Sequence, residues 1–309
     1  MAFGAFQSSA PGGSVAAAAP QVQRKSPVAL WLLLPGILYL ILFFVTPLFS
    51  LVLTSFQESV PGGFIGEYQT AFRFENYVEV VSTYFTHIGR SFVYASLATV
   101  FALLLGYPLA YVIGVKLRAY PLWQALALVL LIAPFFISFL LRTLAWKQIF
   151  SDEGFVVGAL KTMQLIPADA YLTGTPFSVV FGLTYMFLPF MALPIYATLE
   201  KLDLRYVEAG GDLYANPVTV FRKVTFPLSI PGVISGTLLT FIPATGDYIN
   251  ASRDFLGSTD TAMMGNVIEA NFLVLQNFPA AAALSLILMM SILILVSIYV
   301  RRSGTDDLL

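Results

Sequence analysis

The chain has 309 residues, of which 58% are hydrophobic and 11% are charged, and its mean hydropathy is +0.82. Soluble domains average roughly 45–50% apolar and about 25% charged residues. The composition therefore excludes a pair of soluble domains and predicts one polytopic membrane domain. The net charge of −1 gives no electrostatic basis for binding nucleic acid, and the absence of cysteine excludes disulfides and thiolate metal sites.

Residues 1–27 are rich in Gly, Ala, Ser, Pro and Gln and are predicted to be a disordered tail. The apolar run that follows is too long for the core of a signal peptide, and we expect it to be the first span. Runs long enough to cross about 30 Å of hydrocarbon predict an all-α protein with six transmembrane helices, at about 28–53, 91–114, 121–143, 177–198, 229–249 and 279–300. A polar segment at 199–228 and a short tail at 301–309 complete the chain.

Basic residues predict how the spans are oriented. With the N-terminus inside, cytoplasmic segments hold ten of the 16 Lys and Arg residues, and the longer outer segments hold six. Because basic residues concentrate on the cytoplasmic side, both termini and the segment at 199–228 are expected there.

The outer connections carry turn signals and short amphipathic stretches. Residues 55–89 and 144–176 have mixed polarity, and residues 155–163 are expected to form a short surface helix. The connection at 250–277 is amphipathic, with apolar residues among polar ones.

A polar stretch at residues 208–227 separates two long apolar runs. Residues 208–215 favour a short helix, and Asn216-Pro217 is a helix-start signal, with Asn as the N-cap and Pro at the first helical position. A second short helix is expected through Phe221 and Val224, closed by Phe226-Pro227. Such a helix–turn–helix at a membrane face is suited to docking a soluble partner.

This stretch resembles the EAA loop of ABC-importer permeases. The resemblance rests on Glu208, Ala209, Gly210, Gly211, Leu213, Tyr214, Ala215, Phe221 and Pro227, and it implies that these residues couple the chain to a cytoplasmic ATPase. The family has alanine where this chain has Gly210, and a turn glycine where it has Tyr214. Because tyrosine tolerates positive φ poorly, we expect either that Asn216-Pro217 makes the turn or that the first helix runs longer.

No catalytic constellation accompanies this stretch. His87 has no metal-ligand partners at a suitable spacing, and there is no glycine-rich phosphate loop. The chain is therefore not expected to be an enzyme or to bind a metal or cofactor, and ATP and Mg are expected at a partner ATPase. Glu208 is the expected charge-assisted contact with that partner.

Residues near the end of the fifth span are the candidates for a substrate pathway. Asp247 is expected close to the outer boundary, either lining the pathway or simply hydrated. Further candidates, which are also explained by packing, are Tyr185, Phe241, Tyr248, Asn250 and Glu269. Arg142 and Trp146 are interpreted as an interfacial anchor pair, with a gating role as the alternative.

Four other stretches, at 105–113, 182–203, 231–251 and 265–272, are similar to permease subunits of spermidine/putrescine importers. The resemblance implies a type I importer fold in a bacterial cell membrane, with a re-entrant or surface helix near the translocation path in the connection at 250–277. It also implies a second permease subunit, two ATPase subunits and an external binding protein. Permeases for iron, thiosulfate or phosphonates are the alternative within this class, and a secondary transporter or channel is the alternative outside it.

Overall fold

The computed structural model describes residues 27–302, so the predicted tails at 1–27 and 301–309 lie almost entirely outside the described residues. By length and composition, five of the described helices can cross a membrane, or six if one bent pair counts as a single span. The predicted helical class is therefore confirmed, apart from one small β-hairpin between Glu58–Ser59 (β1) and Tyr68–Gln69 (β2).

Residues Met1–Phe49 and Ser50–Leu309 form two units. In the first unit, α1 (Pro27–Leu40) continues into a π-helical segment, Ile41–Val45. The helix α2 (Thr46–Ser55) follows that segment and ends close to the predicted end of the first span.

The second helical run differs most from its prediction. The helix α3 (Glu75–Tyr111) begins at residue 75 instead of 91 and continues through a π segment (Val112–Lys116) and a 3-10 turn (Leu117–Ala119). Its first turns are mixed in polarity, and tertiary contacts stabilise them. The buried Asn76 amide donates to the carbonyls of Ser55 and Gln57 at 2.9 and 2.8 Å.

The third predicted span is broken. The helix α4 (Pro121–Ile132) passes into a 3-10 turn (Ala133–Phe136), and α5 (Phe139–Ile149) leaves at 95° to it. Pro134 lies in that turn and Ile137 is extended (φ −97°, ψ 137°), so the helical hydrogen bonding stops there. The short helix predicted at 155–163 is confirmed as α6 (Phe155–Thr162), and its place on the outer surface stays a prediction.

The helix α7 (Pro176–Lys201) is followed by α8 (Arg205–Asp212) and α9 (Pro217–Val220). A π segment (Phe221–Thr225) joins α9 to α10 (Phe226–Thr245), so the fifth run is one helix over Pro217–Thr245. A 3-10 turn (Thr259–Thr261), α11 (Met264–Glu269) and another π segment (Ala270–Val274) precede α12 (Phe278–Arg302). The predicted helix in the 250–277 connection is thereby confirmed.

The core of the second unit lies where α3, α7 and α10 pack together. A Cβ atom added at Gly236 would lie 2.7 Å from the carbonyl oxygen of Met191, so the backbones of α7 and α10 approach closely. Small residues that permit such approach are characteristic of helix packing in membranes. These three packed helices support residues 205–227.

Candidate functional site

The predicted coupling residues lie in one short segment, residues 205–227, which we call the docking segment. It leaves α7 at Lys201 and returns to the core through α10. Glu208, Ala209 and Gly211 are exposed, and Leu213 is 81% exposed. These four predicted residues are therefore each accessible to a partner.

The backbone at the end of α8 shows whether Tyr214 forms the turn after this helix. Its backbone is left-handed, at φ +56°. The Tyr214 N–H donates to the Gly211 carbonyl at 2.9 Å, and the Ala215 N–H donates to the Gly210 carbonyl at 3.2 Å. This pair of hydrogen bonds is the Schellman motif, which satisfies carbonyls left free at a helix end. The turn is made at Tyr214, so both expectations for this position, a turn moved to Asn216-Pro217 and a longer first helix, are wrong.

The left-handed conformation costs an L-residue roughly 1–2 kcal/mol. At Tyr214 the two capping hydrogen bonds offset part of that cost. The low preference of tyrosine for positive φ predicted that the turn lies elsewhere. That preference does not take these two hydrogen bonds into account.

The start of α9 follows the prediction. Asn216 is extended, and its Oδ1 atom accepts a hydrogen bond from the Thr219 N–H at 2.7 Å. Gly210 lies against this helix, because a Cβ atom there would be 2.9 Å from Cγ2 of Val220. Gly211, by contrast, has nothing within 4 Å of such an atom. The two glycines therefore differ in role, one packed between helices and one open to a partner.

Phe221 faces inward. Its ring meets the rings of Tyr107 and Tyr111 edge-on, each at 5.7 Å, and lies 6.2 Å from Phe226. Tyr107 also shares a hydrogen bond of 2.8 Å with Ser229. Of the predicted coupling residues, Phe221 therefore connects the segment to α3 and α10.

The predicted closure of the second helix at Phe226-Pro227 is wrong. The π segment Phe221–Thr225 runs directly into α10, and Pro227 occupies the first turn of that helix. Pro227 has no N–H to donate, and it lies just after the π segment, where the regular α-helical hydrogen bonding is already interrupted.

Sequence reasoning missed Arg118, which it counted only as a cytoplasmic charge. The Arg118 guanidinium donates to the carbonyls of Leu199 and Leu202 at 2.8 and 2.9 Å, and also to that of Glu200. These carbonyls end α7 immediately before the docking segment, where cationic side chains are favoured. No sequence signal distinguishes Arg118 from a basic residue that only faces lipid phosphates.

Asp247 is not hydrated as expected but 7% exposed. Its carboxylate accepts hydrogen bonds from the Asn250 N–H at 2.8 Å and from Asn250 Nδ2 at 3.0 Å. The residue lies just beyond the end of α10, in a turn that these two bonds hold together.

The remaining pathway candidates do not converge on Asp247. Tyr185 and Phe241 pack against the core cluster, and Tyr248 is exposed. Glu269 lines a separate cleft of about 430 Å³, which Arg253 also lines. The cleft therefore carries both signs of charge.

Arg142 is 8% exposed, so its assignment to an interfacial anchor pair is wrong. Its guanidinium lies 5.8 Å from the Phe139 ring centre, and its Nε and Nη1 atoms have no hydrogen-bond acceptor among residues 27–302. Trp146 packs against Phe181 and Tyr185. Within the same described range, no three His, Cys, Asp or Glu side chains are arranged to hold a metal ion.

Comparison with known proteins gives concordant results. A sequence model of the binding-protein-dependent transport system inner membrane component family matches residues 104–303. The spermidine/putrescine transport system permease protein PotB of Haemophilus influenzae is 33% identical over 86% of this chain and 90% of its own length. PotB of Escherichia coli strain K12 is also 33% identical, over 86% and 94%.

Solved structures of ABC importers share the fold. The bacterial transporter that imports the acidic polysaccharide alginate superposes with a TM-score of 0.69 at 16% identity, covering 91% of this chain and 96% of its own. The inward-facing methionine transporter MetNI gives a TM-score of 0.51 at 17% identity, over 71% and 91%. With 200 of its 309 residues inside the family match, this protein belongs to the binding-protein-dependent transport system inner membrane components.

Proposed function

We propose that the chain is a permease subunit of an ATP-driven importer for polyamines such as spermidine and putrescine. The observation that carries the proposal is the 33% identity to spermidine/putrescine permeases over 86% of this chain. Membership of a binding-protein-dependent family disfavours a secondary transporter or a channel. The subunit lies in a bacterial cell membrane with both termini in the cytoplasm.

The partners in this proposal are a second, different permease subunit, two ATPase subunits and an external substrate-binding protein. ATP and Mg bind at the ATPase subunits, and this chain binds no cofactor. The docking segment contacts an ATPase subunit through Glu208, Ala209, Gly211 and Leu213. Their exposure supports this assignment, since none of them is needed inside the fold.

The inward side of the docking segment transmits the motion. Because Phe221 is enclosed by tyrosines of α3, a displacement of α8 and α9 moves α3 and α10 with it. Closure of the two ATPase subunits on ATP would thus drive the permease pair between inward- and outward-facing states.

A polyamine carries two or more hydrated ammonium groups, and carboxylates and aromatic faces replace part of that water. The cleft that holds Glu269 and Tyr84 offers both, but Arg253 weakens its attraction for cations. We therefore assign selection to the binding protein and only weak binding to this chain. Importers of iron, thiosulfate or phosphonates remain the alternative.

The test uses the complete transporter reconstituted in vesicles. Radiolabelled spermidine and putrescine should be taken up with ATP inside, and thiosulfate should not. Gly211→Arg should abolish uptake and lower ATPase association without affecting assembly of the permease pair, because the site is open within the chain. Normal uptake by this variant would reject the docking assignment, and uptake of thiosulfate alone would reject the polyamine assignment.

A further inference from the structure

Tyr214 combines a strained backbone with a fully accessible side chain. Its φ of +56° lies in the region where glycine is the default residue. Its side chain is 99% exposed, so the ring gains no packing within the chain that would offset the strain. The capping hydrogen bonds offset only part of this strain, and strained backbone clusters at functional positions.

The surroundings of Tyr214 indicate what the ring contacts. Three more apolar side chains of the docking segment are largely exposed: Tyr206 at 61%, Leu213 at 81% and Val218 at 65%. The carboxylates of Glu208 and Asp212 lie on the same short helix and are exposed as well. The helix begins with the exposed Arg205, so its acidic residues are in excess only toward its C-terminal end, beside Tyr214. A partner that fits this end of α8 has an apolar pocket with basic residues at its rim.

We infer that Tyr214 is the anchor by which this permease recognises its own ATPase subunit, its ring entering an apolar pocket that Glu208 and Asp212 flank. The inference rests on the proposed function and adds a specificity-determining residue to it. Tyrosine is among the residues that dominate binding energy when it fills a pocket at the centre of an interface. The ring is accessible to such a pocket, because Tyr214 is 99% exposed.

Another turn of the chain offers a matched control. Gln164 follows α6 with φ +58° and the same pair of hydrogen bonds, from the Gln164 N–H to Lys161 and from the Leu165 N–H to Leu160, at 3.0 Å each. Gln164→Gly therefore relieves the same backbone strain at a site outside the docking segment.

The experiment measures binding of the purified ATPase subunits to the permease pair in lipid nanodiscs, together with the melting temperature of the pair. Tyr214→Gly should weaken binding roughly tenfold while leaving the melting temperature unchanged or higher. Tyr214→Phe should keep binding close to wild type, because the ring is retained. Gln164→Gly should leave binding unchanged.

Wild-type affinity in Tyr214→Gly overturns the inference, as does an equal loss of affinity in Gln164→Gly. Gly211→Arg separates the two proposals. If it abolishes binding while Tyr214→Gly binds normally, the docking segment stands and only the Tyr214 anchor is rejected. If Gly211→Arg binds normally, the docking assignment itself is rejected. Should Tyr214→Gly fail to assemble, Tyr214→Asn provides the same reading, because asparagine tolerates the left-handed region.

Discussion

Asp247 and Arg142 are the two charged side chains that lie buried within residues 31–302, and they carry opposite charges. Asp247 accepts two hydrogen bonds from Asn250, whereas Nε and Nη1 of Arg142 donate none to the described part of the chain. A buried polar group is costly unless it is hydrogen-bonded. Asp247 is therefore best explained as the residue that holds its turn.

Substitution of Asp247 distinguishes a structural role from a role in transport. Asp247→Ala should lower the stability of the permease by roughly 1–3 kcal/mol, because the Asn250 donors lose their acceptor. Asp247→Asn should cost less, since its amide oxygen still accepts from the Asn250 N–H. Thermal melting of the purified permease pair measures both. Unchanged melting with lower spermidine uptake per assembled complex would return Asp247 to the substrate pathway.

At the scale of elements, Arg118 joins the end of the α3 run to the end of α7. The two runs also approach closely at Gly114, where an added Cβ atom would lie 3.2 Å from Cβ of Leu199. Since the docking segment begins a few residues after Leu199, Arg118 fixes the point from which that segment projects. Motion of the segment and of α3 is expected to be linked through this side chain.

Arg118→Ala should loosen this link and raise the number of ATP molecules hydrolysed per spermidine transported. Arg118→Lys should recover only part of the coupling, because lysine does not reach several carbonyls with a planar fork of donors. Lys116→Ala is the control, as Lys116 is exposed two residues earlier. The measurement is hydrolysis and uptake in the same vesicles. A ratio equal to wild type in Arg118→Ala would contradict a coupling role.

Elements that depend on local signals could be predicted from the sequence. The long apolar runs predicted α7 and α12, and the Asn216-Pro217 pair predicted the start of α9. The first turns of α3 could not be predicted, because residues such as Val80 are buried only by contact with α11 and α12. Likewise, the inward position of Phe221 depends on tyrosines more than a hundred residues away in the chain.

At the scale of the whole molecule, orientation is still a prediction from the distribution of basic residues. The chain has no cysteine, so a single introduced thiol can be labelled without background. Phe64→Cys, at an exposed position in the β-hairpin, should react with a membrane-impermeant maleimide on intact spheroplasts. Lys116→Cys should react only after permeabilisation. The reverse pattern would place the docking segment outside and exclude a cytoplasmic ATPase as its partner.

The π segment between α9 and α10 has a consequence for how the protein tolerates insertions and deletions. Successive residues of an α-helix are about 100° apart around its axis, and a π turn holds one residue more than an α turn. Because the π turn absorbs its surplus residue locally, deleting one residue within Phe221–Thr225 would restore regular winding and leave the docking segment and α10 facing nearly as before. The π segment thus makes this part of the helix tolerant of a one-residue deletion, whereas the same deletion in a regular helix would turn its two ends against each other by about 100°.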